Sequence, residues 1–438
     1  MSRLPIRFVI PALIEWTGLA LLNTRTPLDR HIVSVIAILI VTSAVYLISC
    51  GLILKESQSD KPFQGNSLGF WIVAFAILFR LTVWGLPPAF TDDVLRYRWE
   101  ARLQLEGASP YEVAPSDPGF RHLRDATYSR LSGPDFKAVY GPFTELVYRF
   151  AYQAIRPFAG GDPYREVFWL KLPSVAFDLA LLAAMWAWRK ERALLYAWSP
   201  LPIFEFWVNG HNDSLMLLPL VLSLIAAEQA RWRGAFTWLG LAIAAKIWPV
   251  VLLPVYVGRN LARWKYGFLA AAVCIVFLAP FGTGLIRNGP FATGFLGGWR
   301  NNDSIYGALL WLTGDAYLAK YSAAAMVGVA VLWVTIRRWP ASRAALAVTT
   351  VLLLVASNNH PWYLTWMLAL VPAHPSLALL LWSALAPLAY QVLPAWEILG
   401  QWNGVSPLRW FIYAPVFLVL LYEWYALAHK RDGKISAQ

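Results

Sequence analysis

Charge is scarce in this chain. Only 14% of its 438 residues are charged, against roughly 25% in an average soluble domain, which excludes an ordinary cytosolic globular protein. Cysteine is scarcer still. Cys50 and Cys274 both lie inside apolar runs, so a disulfide framework and cysteine-based metal sites are excluded and the compartment stays open. The sequence has no internal repeat, no low-complexity tract and no polar stretch long enough for a separate soluble domain. A cleavable leader is not expected, because Phe8 to Leu22 lacks a small-residue cleavage site and carries Glu15.

What is there is apolar. The chain is 58% hydrophobic and 15% aromatic, with 24 Trp, 29 Pro and 28 Gly spread through the apolar runs. That composition fits a polytopic membrane protein, where Trp marks interfaces and Gly and Pro are tolerated inside helices. The clearest spans are Ile32 to Leu54, Gly69 to Leu86, Glu166 to Trp188, Tyr266 to Phe281, Ala319 to Ile336 and Trp410 to Ala428. Each reaches or approaches the roughly 17 to 25 residues that a transmembrane helix needs. Shorter pieces lie between them: Phe8 to Leu22, Leu194 to Val208, Ser214 to Ala227, Ala235 to Val257, Ala344 to Ala356 and Trp362 to Leu381. The reading is a single all-α polytopic membrane domain, residues 1–438, with roughly 12 to 14 spans.

The net charge of +12 raises nucleic acid as a partner, and the placement of the charges argues against it. The basic clusters are Arg189 to Arg192, Arg231 to Arg233, Arg259 with Arg263 and Lys265, Arg337 and Arg338 with Arg343, and Lys430 with Arg431. All sit in short connections, which the positive-inside rule assigns to the cytoplasm. Ala235 to Val257 must then go out and return as two half-helices turning near Lys246 to Pro249. With Arg3 and Arg7 also inside, the chain emerges at Phe90. The polar, non-basic connections fall together outside: Asp92 to Tyr140, Asn209 to Asp213, the Lys246 turn, Gly282 to Ser304, Asn358 to His360 and Gln391 to Ser406.

The largest outer loop, residues 88–165, opens Thr91-Asp92-Asp93-Val94-Leu95-Arg96-Tyr97. Thr91 suits an N-cap and the two carboxylates suit a first helical turn. Leu95, Trp99, Leu103 and Leu105 make an approximate apolar stripe, which predicts an amphipathic helix lying along the membrane surface. Asp92 and Asp93 are then either capping acids or, at the membrane–water boundary, a general base toward an incoming hydroxyl. Lys246, a lysine in an apolar run, is either functional or snorkelling. His211 and His360 are binding groups or packing residues, and Asp213 can be a helix-start acid. Arg80, Lys171 and Asp178 lie within spans, where a buried Arg80–Asp178 pair is expected.

These residues carry a resemblance. Asp93-Val94-Leu95-Arg96-Tyr97-Arg98-Trp99-Glu100-Ala101-Arg102 with Gly107 to Tyr111 resembles the first extracytoplasmic loop of GT-C glycosyltransferases. The nearest are bacterial polyprenyl-phosphate-mannose-dependent mannosyltransferases and the enzyme adding the first mannose to GPI precursors. Val139 to Pro142, Gly210 to Asp213, Lys246 with Pro249, and His360 to Trp366 follow in order, so the likeness covers roughly residues 90–366. Relatives have Asp at the position of Glu100, Asn at Ser109 and Pro at Gly141, departures that bear on sugar and acceptor and leave the fold alone.

The resemblance implies a GT-C bundle that moves a hexose, mannose first, from a polyprenyl phosphate to a glycan or glycolipid, with inversion. Asp93 would be the base and Asp92 its neighbour or replacement. Arg96, Tyr97, Tyr140, His211, Asp213, Lys246, Arg300, His360 and Trp362 would bind substrate. Phosphate is already a good leaving group, so no acid partner is needed, unlike the paired carboxylates of glycosidases. No resident cofactor is expected, and a divalent metal stays open because Asp92, Asp93, His211, Asp213 and His360 are adequate ligands. The partners are a lipid-linked sugar, a glycan acceptor and membrane lipid, in a bacterial cytoplasmic membrane with the active site outside. Another sugar, a protein acceptor, or a transporter or lipid flippase are the competing readings. The last would gather Lys246, Arg80 and Asp178 around one central cavity. Asn212-Asp213-Ser214 and Asn302-Asp303-Ser304 are glycosylation sequons in predicted outer segments.

Overall fold

The computed structural model describes residues 6–57, 66–131, 133–258, 260–288 and 299–435. Arg3, Arg259 and part of the connection from Gly282 to Ser304 lie outside the described residues. Among the described residues every regular element is helical, without a strand, and one isolated bridge joins Asn301 to Asn358. Six of the described helices are long and apolar enough to cross a membrane: Ile6–Arg25, Leu28–Glu56, Pro163–Ala197, Leu261–Phe281, Ala316–Ile336 and Leu377–Glu397. The protein is an all-α polytopic membrane protein.

Sequence pattern accounts for which faces are covered. The second helix, α2 (Ile32–Glu56), follows α1 (Ile6–Leu21) and buries Val35, Leu39, Tyr46, Cys50 and Ile53. Val33, Val41 and Ile48 point outward on it, which is the surface a lipid-facing helix presents. Helix α3 (Asn66–Val83) brings Arg80 to Asp178, 2.7 Å away on a later helix, with both side chains fully buried. Asp178 also accepts from the Tyr196 hydroxyl and the Trp207 indole. The expected pair therefore forms, and removing one partner strands a buried charge, a loss of about 3–5 kcal/mol.

After α4 (Asp93–Leu105), α5 (Pro142–Ala159) and α6 (Pro163–Trp169), α7 (Leu172–Arg189) leads into broken structure. Short turns α8 (Leu194–Ala197) and α9 (Pro200–Pro202) are followed by a π-helical turn, Ile203–Val208. The chain then enters α10 (Asp213–Glu228), which runs beside α7 in the same direction. Ser214 bonds the Ser174 carbonyl near their starts, and Arg189 pairs with Glu228 at their ends. Helix α11 (Trp232–Ala245) returns antiparallel and stops at Lys246, whose backbone is extended. The predicted break therefore falls at Lys246, before a 3-10 turn (Trp248–Leu252) and α12 (Leu253–Gly258).

Helix α10 thus has two polar ends, roughly 22 Å apart at 1.5 Å per residue. At one, Glu228 accepts from Arg189, Trp188 and Ser342, and Ser342 also meets His374 at 2.9 Å. At the other, Asp213 meets Lys246 and Trp366.

The expectation for α4 is corrected in two respects. Its N-cap is Asp92, not Thr91, whose hydroxyl instead accepts from the Asp93 N–H at 3.1 Å. Its stripe does not face lipid. Trp99 and Leu103 pack on Leu123 and Leu131 from the same loop, while Val94, Tyr97 and Ala101 join the main core. The long irregular segment after α4 folds back and covers the face that a membrane would otherwise cover.

Candidate active site

Asp93 opens α4 with one carboxylate oxygen on each of two partners. The Tyr140 hydroxyl donates to Oδ1 at 2.9 Å, and His211 Nδ1 lies 3.1 Å from Oδ2. Gly210, at φ +74°, makes the turn that presents His211, and a side chain there would press on Lys171 and Val94. Burial alone pushes the Asp93 carboxyl up. The hydrogen bond and charge of His211 and the Tyr140 hydroxyl outweigh burial and hold it below the ordinary aspartate value. At neutral pH Asp93 is therefore a carboxylate able to accept a proton.

Three rings stack beside it. Trp362 lies between His211, with centroids 3.9 Å apart, and His360, at 4.2 Å and nearly parallel. His360 Nδ1 meets the Asn301 side-chain amide at 3.1 Å. Burial, above all, pulls the His360 pKa down to about 3, so the ring is neutral in the physiological range. His360 is thus a neutral polar group beside Asp93.

Lys246 sits on the other side of Trp362. Its ammonium is 2.5 Å from Asp213 Oδ1, which also accepts the Trp366 indole N–H at 2.5 Å. The same ammonium lies 4.9 Å from the ring centroids of both Tyr363 and Trp366, within cation–π range. Tyr363 packs edge-on to Trp362, which joins the Lys246 group to the Asp93 group. The Lys246 side chain keeps 24% exposure while Asp213 is buried at 1%, so donor capacity is left for an anion. Gly141 fixes the approach of the first loop to this turn. A Cβ there would lie 2.3 Å from the Ala244 carbonyl, and Thr144 on α5 donates to the Ala245 carbonyl.

Other residues are placed elsewhere or spoken for. Arg96 is buried against Glu100 at 2.7 Å and donates to the Phe136 carbonyl, so it braces the loop. Tyr97 is buried, stacked on Tyr148 at 4.1 Å, and accepts the Asn212 N–H. It supports the site from behind. Asp92 is half-buried at the helix start. Arg300 pairs with Asp303 at 2.6 Å and stays partly exposed next to Asn301. Trp402 tilts toward His360 at 6.0 Å and meets Trp299 at 6.3 Å.

Asn212 and Asn302 are buried, so neither sequon offers an accessible amide. Among the described residues no three His, Cys, Asp or Glu side chains converge as metal ligands would. Arg80 pairs with Asp178 and Lys246 with Asp213, so each of these charges is held in its own ion pair.

Residues 12–262 match the MptA_B family, described as Alpha-(1->6)-mannopyranosyltransferase, N-terminal domain. The chain belongs to this family. It is a mannose-transferring glycosyltransferase of the membrane. Comparison with curated proteins and with solved structures gives no match. Within the mannosyltransferase, the matched region carries Asp93, Tyr140, His211, Asp213 and Lys246, whereas Arg300, His360, Trp362 and Trp366 come from beyond it.

Glu205 and Tyr390 were not legible as site residues. Glu205 lies inside an apolar run and faces His211 Nε2 at 3.4 Å, while the Tyr390 hydroxyl donates to it at 2.7 Å. A lone acid in Leu194 to Val208 was the available signal, since an ionisable group in a span is functional by default.

Proposed function

We propose that this mannosyltransferase takes mannose from a polyprenyl phosphate and passes it to a glycan or glycolipid hydroxyl outside the cytoplasm of a bacterial cell, within a GT-C-type bundle. Asp93 removes the hydroxyl proton as that oxygen attacks C1. The C1–O bond to the lipid phosphate breaks on the opposite face, and the phosphate leaves with the electron pair. Lys246, with Arg300 at the rim, stabilises the departing phosphate. Trp362, Trp402 and Trp299 offer ring faces for sugars. The family description supports an α(1→6) product. A single inverting displacement then requires a donor whose mannose is β-linked to phosphate.

The observation that carries the reading is a partly exposed carboxylate held ionised by His211 and Tyr140, in one cluster with a lysine. The placing of that cluster outside rests on charge. Arg189, Arg192, Arg231 and Arg343 gather at the Glu228 end of α10, away from Asp93. No metal is assigned a role.

The test is to incubate purified protein with polyprenyl-phosphate mannose, polyprenyl-phosphate glucose and a nucleotide-linked mannose, with and without a chelator. Release of bare lipid phosphate from the mannosyl lipid alone, unaffected by chelator, is expected. Turnover of the nucleotide sugar without the lipid would overturn the donor assignment.

A further inference from the structure

Glu205 sits behind His211, two residues into a π-helical turn. Such turns insert an extra residue into helical structure and recur at functional sites. Here the turn does two things. The His211 backbone N–H donates to the Glu205 carbonyl at 2.9 Å, and the Glu205 carboxylate reaches the other side of the same residue's ring, 3.4 Å from Nε2. Both side chains are 1% exposed. The carboxylate is itself held, by the Tyr390 hydroxyl at 2.7 and 2.9 Å and by the Asn209 amide at 3.1 Å. Asn209 in turn accepts the Phe90 N–H, at the end of the segment leading to Asp93.

The ring nitrogen facing Glu205 has no closer partner in the structure. The contact is too long for a hydrogen bond and lies within ion-pair reach, and contacts that tighten during turnover are often long beforehand.

We infer that Glu205 is a positioning residue for transfer: it holds the His211 ring by Nε2, so that Nδ1 stays against Asp93 while Asp93 takes the acceptor proton. This rests on the reading of Asp93 as the base. A buried carboxylate kept only for packing is a poor choice, because an amide of the same shape is cheaper to bury. A third group orienting the partner of a catalytic residue recurs wherever a proton must be moved repeatedly.

The titratable and charged groups around His211 come from every element packed against it. Asp93 faces it from α4, Glu205 from the π-turn, and Asp213 with Lys246 from the starts of α10 and the broken turn. His360 lies across Trp362, and the phenols of Tyr140, Tyr97 and Tyr390 complete the surroundings.

The test compares full-length wild type with Glu205→Gln and Glu205→Asp. For Glu205→Gln, kcat at pH 7 should fall about tenfold with KM for the mannosyl lipid unchanged. The acidic limb of the rate profile should move up by about one pH unit, because Asp93 loses part of the influence that holds its proton affinity down. Glu205→Asp should restore part of kcat. Nitrogen NMR of labelled His211, without substrate and at fixed pH, should show a displaced Nε2 resonance in Glu205→Gln. That arm still tests the Glu205–His211 contact if Asp93→Asn proves active and the base assignment fails. A Glu205→Gln variant with wild-type kcat, pH profile and His211 ring resonances would reduce Glu205 to packing. If Glu205→Gln does not fold, the same readouts on Glu205→Asp decide.

Discussion

Asp93 and His211, 118 positions apart in the chain, meet at 3.1 Å through Oδ2 and Nδ1. The first belongs to the start of a helix and the second to a glycine-led turn after a π-helical segment. Their meeting keeps the Asp93 carboxyl below its ordinary range, against the upward push of burial.

His211→Asn should therefore act through acid. Without the imidazole, burial dominates and Asp93 takes up its proton at higher pH. Loss of transfer should be about tenfold or more at pH 5.5 and much smaller at pH 8. A rate–pH profile on the purified variant checks this. A uniform loss across the range would mean that His211 acts by contact with substrate and not through Asp93.

Lys246→Ala should raise KM for the lipid donor about tenfold, since an ammonium opposite a phosphate is worth about one to two kcal/mol when partly exposed. It also strands Asp213, whose remaining partner is the Trp366 indole. Lys246→Arg keeps the charge and separates the two effects. Donor titration with both variants is the measurement, and unchanged KM in Lys246→Ala would make the lysine a structural counter-ion.

Glu145 bears on stability and not on chemistry. Burial, followed by the charge of Glu100, pushes its carboxyl well above the usual range, and Gln104 donates to it at 2.9 Å. The fold therefore holds a proton that the unfolded chain releases from about pH 4 upward. The stability Glu145 contributes is present below that pH and is lost as pH rises toward the folded value. Glu145→Gln removes the proton requirement. Its melting temperature should equal wild type near pH 4 and exceed it by about 2 °C at pH 8, measured by thermal unfolding in detergent.

Much of this arrangement is legible in the sequence. The span pattern, the break at Lys246 and the Arg80–Asp178 pair follow from apolar length and the cost of isolated charge in a membrane. What escaped is long-range company. His360 reads equally as a binding group or a packing residue until its burial is known. The apolar stripe of α4 reads as lipid-facing because nothing local announces that Leu123 and Leu131 fold over it. Glu205 stands out only as a lone acid in an apolar run, and its meaning depends on a π-turn that no periodicity signals.

The most direct measurement is mannose transfer from polyprenyl-phosphate mannose by Asp93→Asn, in protein whose membrane insertion and melting temperature match wild type. The amide keeps the shape and cannot take the acceptor proton, so a loss of about a hundredfold or more is expected, with donor binding intact. Near wild-type transfer by that variant would contradict Asp93 as the base.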